Sequence, residues 1–476
     1  MLTRSLLTLG AVLMASTALA QDITPAADFV TDKANDFRGL AYGADGKIYV
    51  SGHKGDPSAE TGAQTVVVVG RLNADGTPDT AFGEDGFAEV DLGAGLVEQS
   101  LAVAPLANGD VVAAVNANEE GGGVSVYLVR FDATGKQVTG AWGGETGALE
   151  VVFGWPNANN DAFPDAEKPP QDTAWDLKVD NSSGTEKLVV AGHGSAAEGS
   201  GRTDADRYVV RLNAADGTAD AGFNGGKPFT YHSAQAFAEG GRRVSVEADG
   251  AIMSAGYTNL GDGLRNHLIL IRLNADGSLD QSFGGFVSPQ SSADAVGLAA
   301  TPGIAVFNPL LADGGFAEGY AAVRLSDGSY VTTGYGGATG EGVASTLGFK
   351  TTEAPDVVSF KVKGNALDTT YGTNGSAVVQ SEGLGLTTAE DRGRLVVALP
   401  GDRTMHVGFF GGIPSAIVLD ASGKLDTTVS EDGILALPND TVASQFFGAA
   451  VSPDGKQVAL STNNNKAGAR VVLLNL

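Results

Sequence analysis

One segment recurs almost verbatim along the chain and limits what the chain can fold into. Arg71-Leu-Asn-Ala-Asp-Gly-Thr-Pro-Asp79 is followed by Phe82-Gly83, and 272–284 repeats this pattern closely. The copy at 211–223 carries one inserted alanine, and each copy follows an apolar, often β-branched run such as 66–69. Weaker copies occupy 130–143, 360–372 and 418–426. Such self-similarity predicts a repeat protein in which one supersecondary unit is stacked many times.

A second unit alternates with the first and predicts β-hairpins. Each example is an apolar-alternating stretch, a turn, and a second alternating stretch, as in 40–50 and 244–255. Asp-Gly and Asn-Gly supply the positive-φ residues that two-residue turns require. Seven such turns are present, at Asp45-Gly46, Asn108-Gly109, 181–184, Asp249-Gly250, Asp327-Gly328, Gly401-Asp402 and Asp454-Gly455.

The two units together predict a four-stranded sheet. A hairpin, a third strand ending in the Arg-Leu-Asn unit and a short outgoing strand such as Phe87–Val90 make about 65 residues, near the length of a propeller blade. A single blade leaves both faces uncovered, and a closed ring buries them. We therefore predict an all-β chain: one seven-bladed β-propeller of four-stranded antiparallel blades over 21–476. The segment Asp28–Thr31 is expected to close the ring by pairing with the C-terminal blade, whose third strand lies near Val471–Leu474.

The pattern resembles the bacterial delta-60 repeat, a β-propeller family. Its signature is Arg-Leu-Asn-x-Asp-Gly-x-x-Asp-x-x-Phe-Gly, which the copies at 71–83, 211–223 and 272–284 match well. The other copies depart from it, since Val138 replaces the final Asp, and Phe360 and Val418 replace the Arg. The resemblance implies the propeller fold over the mature chain and implies no agreed activity.

Charge and cysteine content exclude several functions. The chain has 30 basic and 56 acidic residues, a net charge of −26, and no cysteine. Such a surface repels phosphate backbones and attracts cations, so nucleic acid is not an expected partner and calcium is a candidate cofactor. The absence of cysteine excludes disulfides, thiolate nucleophiles and Cys-ligated metals.

The N-terminal residues have the pattern of a signal peptide. Arg4 gives a positive n-region, residues 6–15 an apolar h-region, and Ala18-Leu-Ala20 a small-x-small cleavage site. We expect 1–20 to be removed and the mature protein to be an exported monomer, periplasmic or extracellular. No later stretch is long and apolar enough to predict a transmembrane helix.

Two motifs with possible chemistry have structural interpretations. Asn73, Asp75 and Asp79 mimic part of a calcium loop, but Arg71 occupies the first ligand position, so an Asp-held turn with an Arg–Asp pair is the better interpretation. His53 and His193 share their repeat position with Tyr257, Tyr335 and Phe409, which predicts packing rings rather than metal ligands.

Acidic residues ahead of the first strand of six blades are the candidate metal ligands. If they share one register, they form a partial carboxylate ring at the channel mouth that could bind calcium or support acid–base chemistry. The alternative, which we favour, is that each braces its own loop. The candidates are Asp36, Glu98, Asp172, Glu239, Glu318 and Glu390.

Long loops gather on one predicted face, where binding sites usually lie. They span 154–171, 285–316 and 334–355. The first combines aromatic and acidic residues suited to sugars, peptides or calcium, and its candidate binding residues are Trp155, Asp161, Phe163, Asp165 and Glu167.

Two functions of different classes follow. The first is an exported non-enzymatic binding or scaffold protein that uses the long-loop face to bind a protein or a polymer such as a polysaccharide. The second is a calcium-dependent hydrolase, lactonase-like or glycan-cleaving, that uses the carboxylates at the channel mouth; a matrix component bridged by calcium is a third possibility. No catalytic residue is assigned, since no nucleophile-elbow or zinc-hydrolase motif is present.

Overall fold

Short β-branched runs and Gly-containing turns alternate through the chain, and the structure, a computed structural model, follows this alternation. It describes residues 23–55, 65–93, 97–118, 123–153, 171–195, 205–232, 239–259, 266–288, 300–308, 315–337, 355–380, 390–430, 432–437, 445–463 and 468–476. Within them the one helix is a single 3₁₀ turn, Asn224–Gly226. No helix in these ranges is long and apolar enough to cross a membrane.

All other regular elements are strands. In chain order they are β1 (Thr24–Thr31), β2 (Asp36–Tyr42), β3 (Ile48–Lys54), β4 (Val66–Leu72), β5 (Phe87–Val90), β6 (Val97–Pro105), β7 (Val111–Asn118), β8 (Val124–Phe131), β9 (Ala148–Val151), β10 (Thr173–Asp180), β11 (Lys187–Ser195), β12 (Ala205–Asn213), β13 (Phe229–Tyr231), β14 (Glu239–Val246), β15 (Ile252–Asn259), β16 (Asn266–Leu273), β17 (Phe286–Ser288), β18 (Ile304–Phe307), β19 (Phe316–Arg324), β20 (Tyr330–Gly337), β21 (Asp356–Lys363), β22 (Ala366–Leu367), β23 (Ser376–Val379), β24 (Arg392–Leu399), β25 (Arg403–Phe410), β26 (Ile413–Leu419), β27 (Ile434–Ala436), β28 (Gln445–Val451), β29 (Gln457–Asn463) and β30 (Ala469–Asn475).

The strands form seven sheets, which confirms the predicted seven-bladed β-propeller. Blades one to three are β2–β5, β6–β9 and β10–β13, and blade six is β24–β27, each with its strands in sequence order. Blade four has the order β14-β15-β16-β18-β17, and blade five adds the two-residue β22 beside β19, β20, β21 and β23. Blade seven is β28-β29-β30-β1, so its outer strand comes from the N-terminal part of the chain.

The first strand of each blade is the inner strand. Each inner strand contacts the inner strands of two neighbouring blades, and β2 of blade one contacts β28 of blade seven. In blade seven, β1 pairs antiparallel with β30 from Thr24 opposite Asn475 to Thr31 opposite Ala469. Arg470 Nε also donates to Asp28 Oδ1 at 2.7 Å across this pair.

The predicted connection 285–316 contains part of blade four. β18 pairs with β16 as the fourth strand, and β17 pairs in parallel with β18. The fourth strand therefore does not follow the Phe283-Gly284 unit directly, as it does in blade one.

The repeated Arg-Leu-Asn motif joins neighbouring blades. In blade one, Arg71 Nε donates to Asp79 Oδ2 at 2.7 Å, and its Nη1 donates to the carbonyl of Ala133 in blade two at 2.7 Å. The Arg71 guanidinium also lies over the buried Phe82 ring, 4.8 Å from its centroid. Asp75 Oδ1 accepts the N–H of Thr77 at 3.0 Å. The motif is thus a turn and a clasp between blades, in agreement with the structural interpretation.

Every inner strand carries one β-bulge at the same level. A bulge inserts an unpaired residue and redirects its side chain. The bulged residues are Arg38, Leu101, Trp175, Arg242 with Arg243, Tyr320, Arg394 and Phe447.

Candidate functional site

The carboxylates predicted to line the channel mouth occupy two different register positions. Apart from Glu390, two lie two residues before the bulge of their inner strand and three lie three residues before it. Because successive side chains of a strand point to opposite faces, the two groups face different ways. The cross-strand pairs are Asp36 with His53, Glu318 with Tyr335, Glu98 with Ala117, and Glu239 with Thr258. Among the described residues, no group of three or more His, Asp and Glu side chains is placed to hold a metal ion.

These carboxylates contact groups of their own blade or of a neighbouring connection. Each accepts a local hydrogen bond: Glu98 Oε1 from the Leu92 N–H at 2.7 Å, Asp172 Oδ2 from the Phe153 N–H at 2.9 Å, Glu239 Oε1 from the Thr258 hydroxyl at 2.7 Å, and Glu318 Oε2 from the Tyr335 hydroxyl at 2.8 Å. Such contacts order loops and strand ends. Calcium binding by this set stays a prediction.

Asp36 is fully buried and has two cationic or titratable neighbours. Its Oδ2 accepts from Arg38 Nε at 2.7 Å, and His53 Nδ1 lies 2.9 Å from its Oδ1. Burial alone would raise the pKa of Asp36, but His53 and Arg38 stabilise the carboxylate and hold that pKa below its ordinary value. Asp36 is therefore an ionised partner of Arg38.

Blade six places a different acid at the expected position. Glu390 is exposed and pairs with Arg392 at 2.8 Å. Asp391 is the buried carboxylate, and its Oδ1 accepts the N–H of Gly411 at 2.6 Å. The buried acid of blade six is thus one residue after the predicted Glu390, because two adjacent acids precede this strand and the sequence alone does not fix which of them points inward.

The binding candidates of the first long loop lie outside the described residues. This applies to Trp155, Asp161, Phe163, Asp165 and Glu167, and to most of the segment 334–355. The strands that flank these segments end at the face where inner strands begin, which is also the face nearest the bulges.

The bulged residues other than Leu101 meet between the inner strands as an arginine–aromatic cluster, which we call the cup. We define this cup by Arg38, Trp175, Arg242, Arg243, Tyr320, Arg394 and Phe447. Its members contact one another across blade boundaries: the Trp175 and Tyr320 rings meet edge to face at 6.3 Å, and Arg394 lies over Tyr320 at 4.7 Å. Arg38 of blade one lies over Phe447 of blade seven at 5.8 Å.

Arg243 forms the floor of the cup. Its Nη1 donates to the carbonyls of Trp175 at 3.0 Å and Leu101 at 3.4 Å, and its Nη2 donates to the carbonyl of Phe447 at 3.3 Å. These acceptors belong to blades three, two and seven, whereas Arg243 belongs to blade four. One buried side chain therefore crosses the channel and ties four blades together at the level of the bulges.

Arg242 lies above this floor among three aromatic rings. Its guanidinium carbon is 4.1 Å from the centroid of Trp175, 5.0 Å from Tyr320 and 5.2 Å from Tyr257. No described carboxylate lies within ion-pair distance, and its Nε is buried without a hydrogen-bond partner. A guanidinium in this setting has its cationic faces covered and its N–H donors unused.

The other arginines of the wall have polar neighbours. Arg394 Nε donates to Gln445 Oε1 at 2.8 Å, and Arg38 Nη1 donates to Gln99 Oε1 at 3.2 Å. Each glutamine accepts through its amide oxygen, and its amide nitrogen, which donates to no described residue, can serve as a donor. The cup thus concentrates positive charge and hydrogen-bond donors in a chain whose net charge is −26.

The cup was missed from the sequence, although a signal for it exists. In most inner strands an Arg or aromatic residue stands directly beside a glycine, as in Arg38-Gly39, Gly241-Arg242, Gly319-Tyr320, Gly393-Arg394 and Phe447-Gly448. Aligning the first strands on this glycine brings the cup residues to one level.

Comparison with known proteins supports the fold and leaves the activity open. The family described as a domain of unknown function (DUF5122) beta-propeller matches residues 43–82, 186–223 and 247–283. These segments lie in blades one, three and four and include the three strong copies of the repeat. Among curated proteins, no sequence matches the chain.

Three solved structures that match the chain illustrate the low level of similarity. The soluble aldose sugar dehydrogenase of Escherichia coli is 12% identical, with 79% of this chain and 99% of that chain covered and a TM-score of 0.36. An ulvan lyase of a polysaccharide lyase family is 10% identical, with 83% and 77% covered and a TM-score of 0.41. The β-propeller domain of the Trilobed protease from Pyrococcus furiosus is 8% identical, with 96% and 94% covered and a TM-score of 0.41. Identities and scores at this level carry no function to this chain, which is similar to β-propeller proteins in its repeats and in its blades.

Proposed function

We propose that this protein is an exported binding protein that holds an acidic polysaccharide at the arginine–aromatic cup and does not cleave it. The observation that carries the proposal is Arg242, a cation with no described counterion in a chain with 26 more acidic than basic residues. Internal carboxylates are abundant, so a guanidinium kept away from them is suited to an anion supplied by a ligand.

A polysaccharide fits the cup better than a nucleic acid or a folded protein. The overall negative charge disfavours the phosphate backbone of nucleic acids, which contacts a broad surface. Carboxylate or sulfate groups spaced along a sugar chain need only a local cluster of guanidiniums. The amides of Gln99 and Gln445 beside Arg38 and Arg394 supply donors for sugar hydroxyls.

Binding should be tested with the mature chain and three polymers. Isothermal titration calorimetry with polygalacturonate, dextran sulfate and neutral dextran is expected to give heat with one or both acidic polymers and none with dextran. Affinity should fall as salt rises, because guanidinium–anion contacts release counterions. Chain length of the polymer after overnight incubation, measured by size exclusion, should not change; shortening would show an enzyme instead.

A charge-matched pair of variants locates the site. Arg242→Gln is expected to weaken binding about tenfold to a hundredfold, the loss typical of one desolvated ionic contact. Arg324→Gln removes the same charge from an exposed side chain at the other end of β19, where Arg324 lies 3.4 Å from Glu247, and should leave affinity unchanged. Equal loss in both variants would show non-specific electrostatic attraction, and binding of acidic peptides in preference to all polysaccharides would assign a protein partner.

A further inference from the structure

One wall of the cup contains buried N–H donors that have no acceptor. Trp175 Nε1 and Arg242 Nε are both buried, and neither has a hydrogen-bond partner among the residues that the structure describes. No hydrogen bond from any nitrogen of Arg242 to a described residue is formed, although its guanidinium has five N–H donors. Buried donors without acceptors are rare in native proteins and call for an explanation, such as an absent ligand or ion.

A second arginine, Arg207, lies near these donors. Arg207 is fully buried, and its Nη2 donates to the carbonyls of Gly240 at 2.9 Å and Tyr257 at 3.3 Å. Its Nε and Nη1 have no hydrogen-bond partner within the described part of the chain. The facing carboxylate is Glu239, whose Oε1 already accepts from the Thr258 hydroxyl. The charge of Glu239 acts favourably on Arg207, and the charge of the neighbouring Arg242 acts against it.

The backbone is shaped to admit Arg207. A Cβ at Gly256 would lie 2.3 Å from Arg207 Nη2, and a Cβ at Gly241 would lie 2.1 Å from the carbonyl oxygen of Gly192. Any side chain at these two positions would therefore displace the guanidinium or separate the two blades. The arrangement depends on glycine at this boundary.

The pKa of His193 reflects the positive potential of the same wall. Its ring lies 6.4 Å from Trp175. Burial, followed by the charges of Arg242 and Arg207, lowers the pKa of His193 to about 4. The imidazole is therefore neutral at pH 7 and adds no charge, while the two guanidiniums remain without a full complement of anions.

We infer that this wall is an oxyanion subsite, in which Arg242 and the indole N–H of Trp175 donate to a carboxylate or sulfate group of the ligand. The inference rests on the proposed function for the polymer that carries this group. Uronate sugars and sulfate esters share the required chemistry: negatively charged oxygens that accept several N–H donors. We name this set, Trp175, Arg207 and Arg242, the blade 3–4 subsite.

The two tryptophans of known placement allow a matched test. Trp142 also has a buried, unpartnered Nε1 and lies under a guanidinium, that of Arg130, at 5.5 Å. Arg130, however, is paired with Asp110 at 2.6 Å. Trp175→Phe keeps an aromatic ring under Arg242 and removes only the indole donor, and Trp142→Phe makes the same change far from the cup.

The experiment measures indole signals and affinity together. In ¹⁵N-tryptophan-labelled protein, D-galacturonate and inorganic sulfate are titrated separately, and the indole N–H signal missing from the Trp175→Phe spectrum identifies Trp175. We expect this signal to shift downfield with at least one of the two anions, and the Trp142 signal to stay in place. Trp175→Phe should weaken binding of the matching polymer about tenfold, as expected for one hydrogen bond to a charged group, whereas Trp142→Phe should bind like wild type.

The outcomes separate this inference from the proposed function. A shift with galacturonate alone assigns a carboxylate, and a shift with sulfate alone assigns a sulfate ester. If an acidic polymer binds but Trp175→Phe and its indole signal are unaffected, the blade 3–4 subsite is wrong and the proposed function stands. If small anions shift the Trp175 signal but no polymer binds, the proposed function is wrong and the subsite stands. Melting curves of each variant show whether a loss of binding reflects unfolding.

Discussion

Two tryptophan–arginine pairs in this propeller share their chemistry and differ in their partners. Arg130 lies over Trp142 between blades two and three, and Arg242 lies over Trp175 at the channel mouth. Arg130 donates from Nε and Nη2 to Asp110 at 2.9 and 2.6 Å and from Nη1 to the carbonyl of Ala214 at 2.8 Å. Arg242 makes no hydrogen bond to a described acceptor.

The difference separates a structural arginine from a binding arginine. A clasp between blades needs its guanidinium donors satisfied, as those of Arg130 are, because an unpaired buried donor subtracts from stability. A ligand site keeps donors unsatisfied until the ligand arrives. Stacking on an aromatic ring is common to both cases and therefore does not distinguish them; the acceptors do.

The largest effect on stability is expected at the clasp. Arg130→Gln leaves the buried Asp110 carboxylate without its cation, so we expect the free energy of unfolding to fall by about 3 kcal/mol, in the range seen when one partner of a buried pair is removed. Urea denaturation followed by tryptophan fluorescence measures this loss. Affinity for the acidic polymer should remain that of wild type in the fraction that is folded.

Replacing arginine by glutamine at the channel mouth should change the free energy of unfolding much less than it does at the clasp. Arg242→Gln removes a cation that has no described counterion, and we expect the free energy of unfolding to change by less than about 1 kcal/mol in either direction. The two variants lose the same charge and the same functional group. Similar losses of stability would show that Arg242 has an internal partner, and the contrast between the two pairs would then be invalid.

The repeat made the fold predictable. Asp-Gly turns fix hairpins locally, and the Arg-Leu-Asn unit supplies a turn and, in blade one, a clasp from Arg71 to Asp79 and to the carbonyl of Ala133. Seven copies of the hairpin unit leave few alternatives to a propeller. The fourth strand of blade four was harder to place, since β18 begins some twenty residues after the Phe283-Gly284 unit rather than directly behind it.

The cup was not predictable by the same means. A bulge depends on the register between two strands, and a slip of one residue reverses which side chains point inward. Counting acids before each inner strand therefore mixed two register positions, as Asp36 and Glu98 show, and selected Glu390 where Asp391 is buried. The large excess of acidic residues favours a carboxylate site when only the sequence is considered. In the structure, the candidate binding residue is instead an arginine, Arg242, that has no carboxylate partner among the described residues.

Glu98 extends the comparison between satisfied and unsatisfied buried groups to a carboxylate with few hydrogen-bond partners. Burial raises the pKa of Glu98 to about 7, although the hydrogen bond from the Leu92 N–H opposes this rise. The folded state therefore retains a proton between about pH 4.5 and 7 that the unfolded state releases, so this residue lowers stability as pH rises through that window. Glu98→Gln keeps the acceptor for Leu92 and should raise the melting temperature at pH 8 by about 2 °C, with little change at pH 4.5.

Melting temperatures of wild type and Glu98→Gln across pH 4.5–8 provide the measurement. The informative quantity is the difference between the two proteins, because other groups titrate equally in both. A difference that does not change with pH would mean that Glu98 is ionised throughout, as a carboxylate with a cationic partner would be.

The smallest effect on the melting temperature is expected from calcium. Adding calcium tests whether the carboxylates near the channel mouth bind a metal ion. Asp36 is already paired with Arg38, and Asp172, Glu239 and Glu318 accept hydrogen bonds within or beside their own blades. A cation that bound the folded state would raise the melting temperature by mass action. We expect 1 mM calcium to shift it by less than about 1 °C relative to magnesium at equal ionic strength, because the described carboxylates do not share one ligand position. A saturable rise that Asp36→Asn abolishes would return the calcium-dependent hydrolase to consideration, since it would mean that carboxylates from different blades converge when the ion is present.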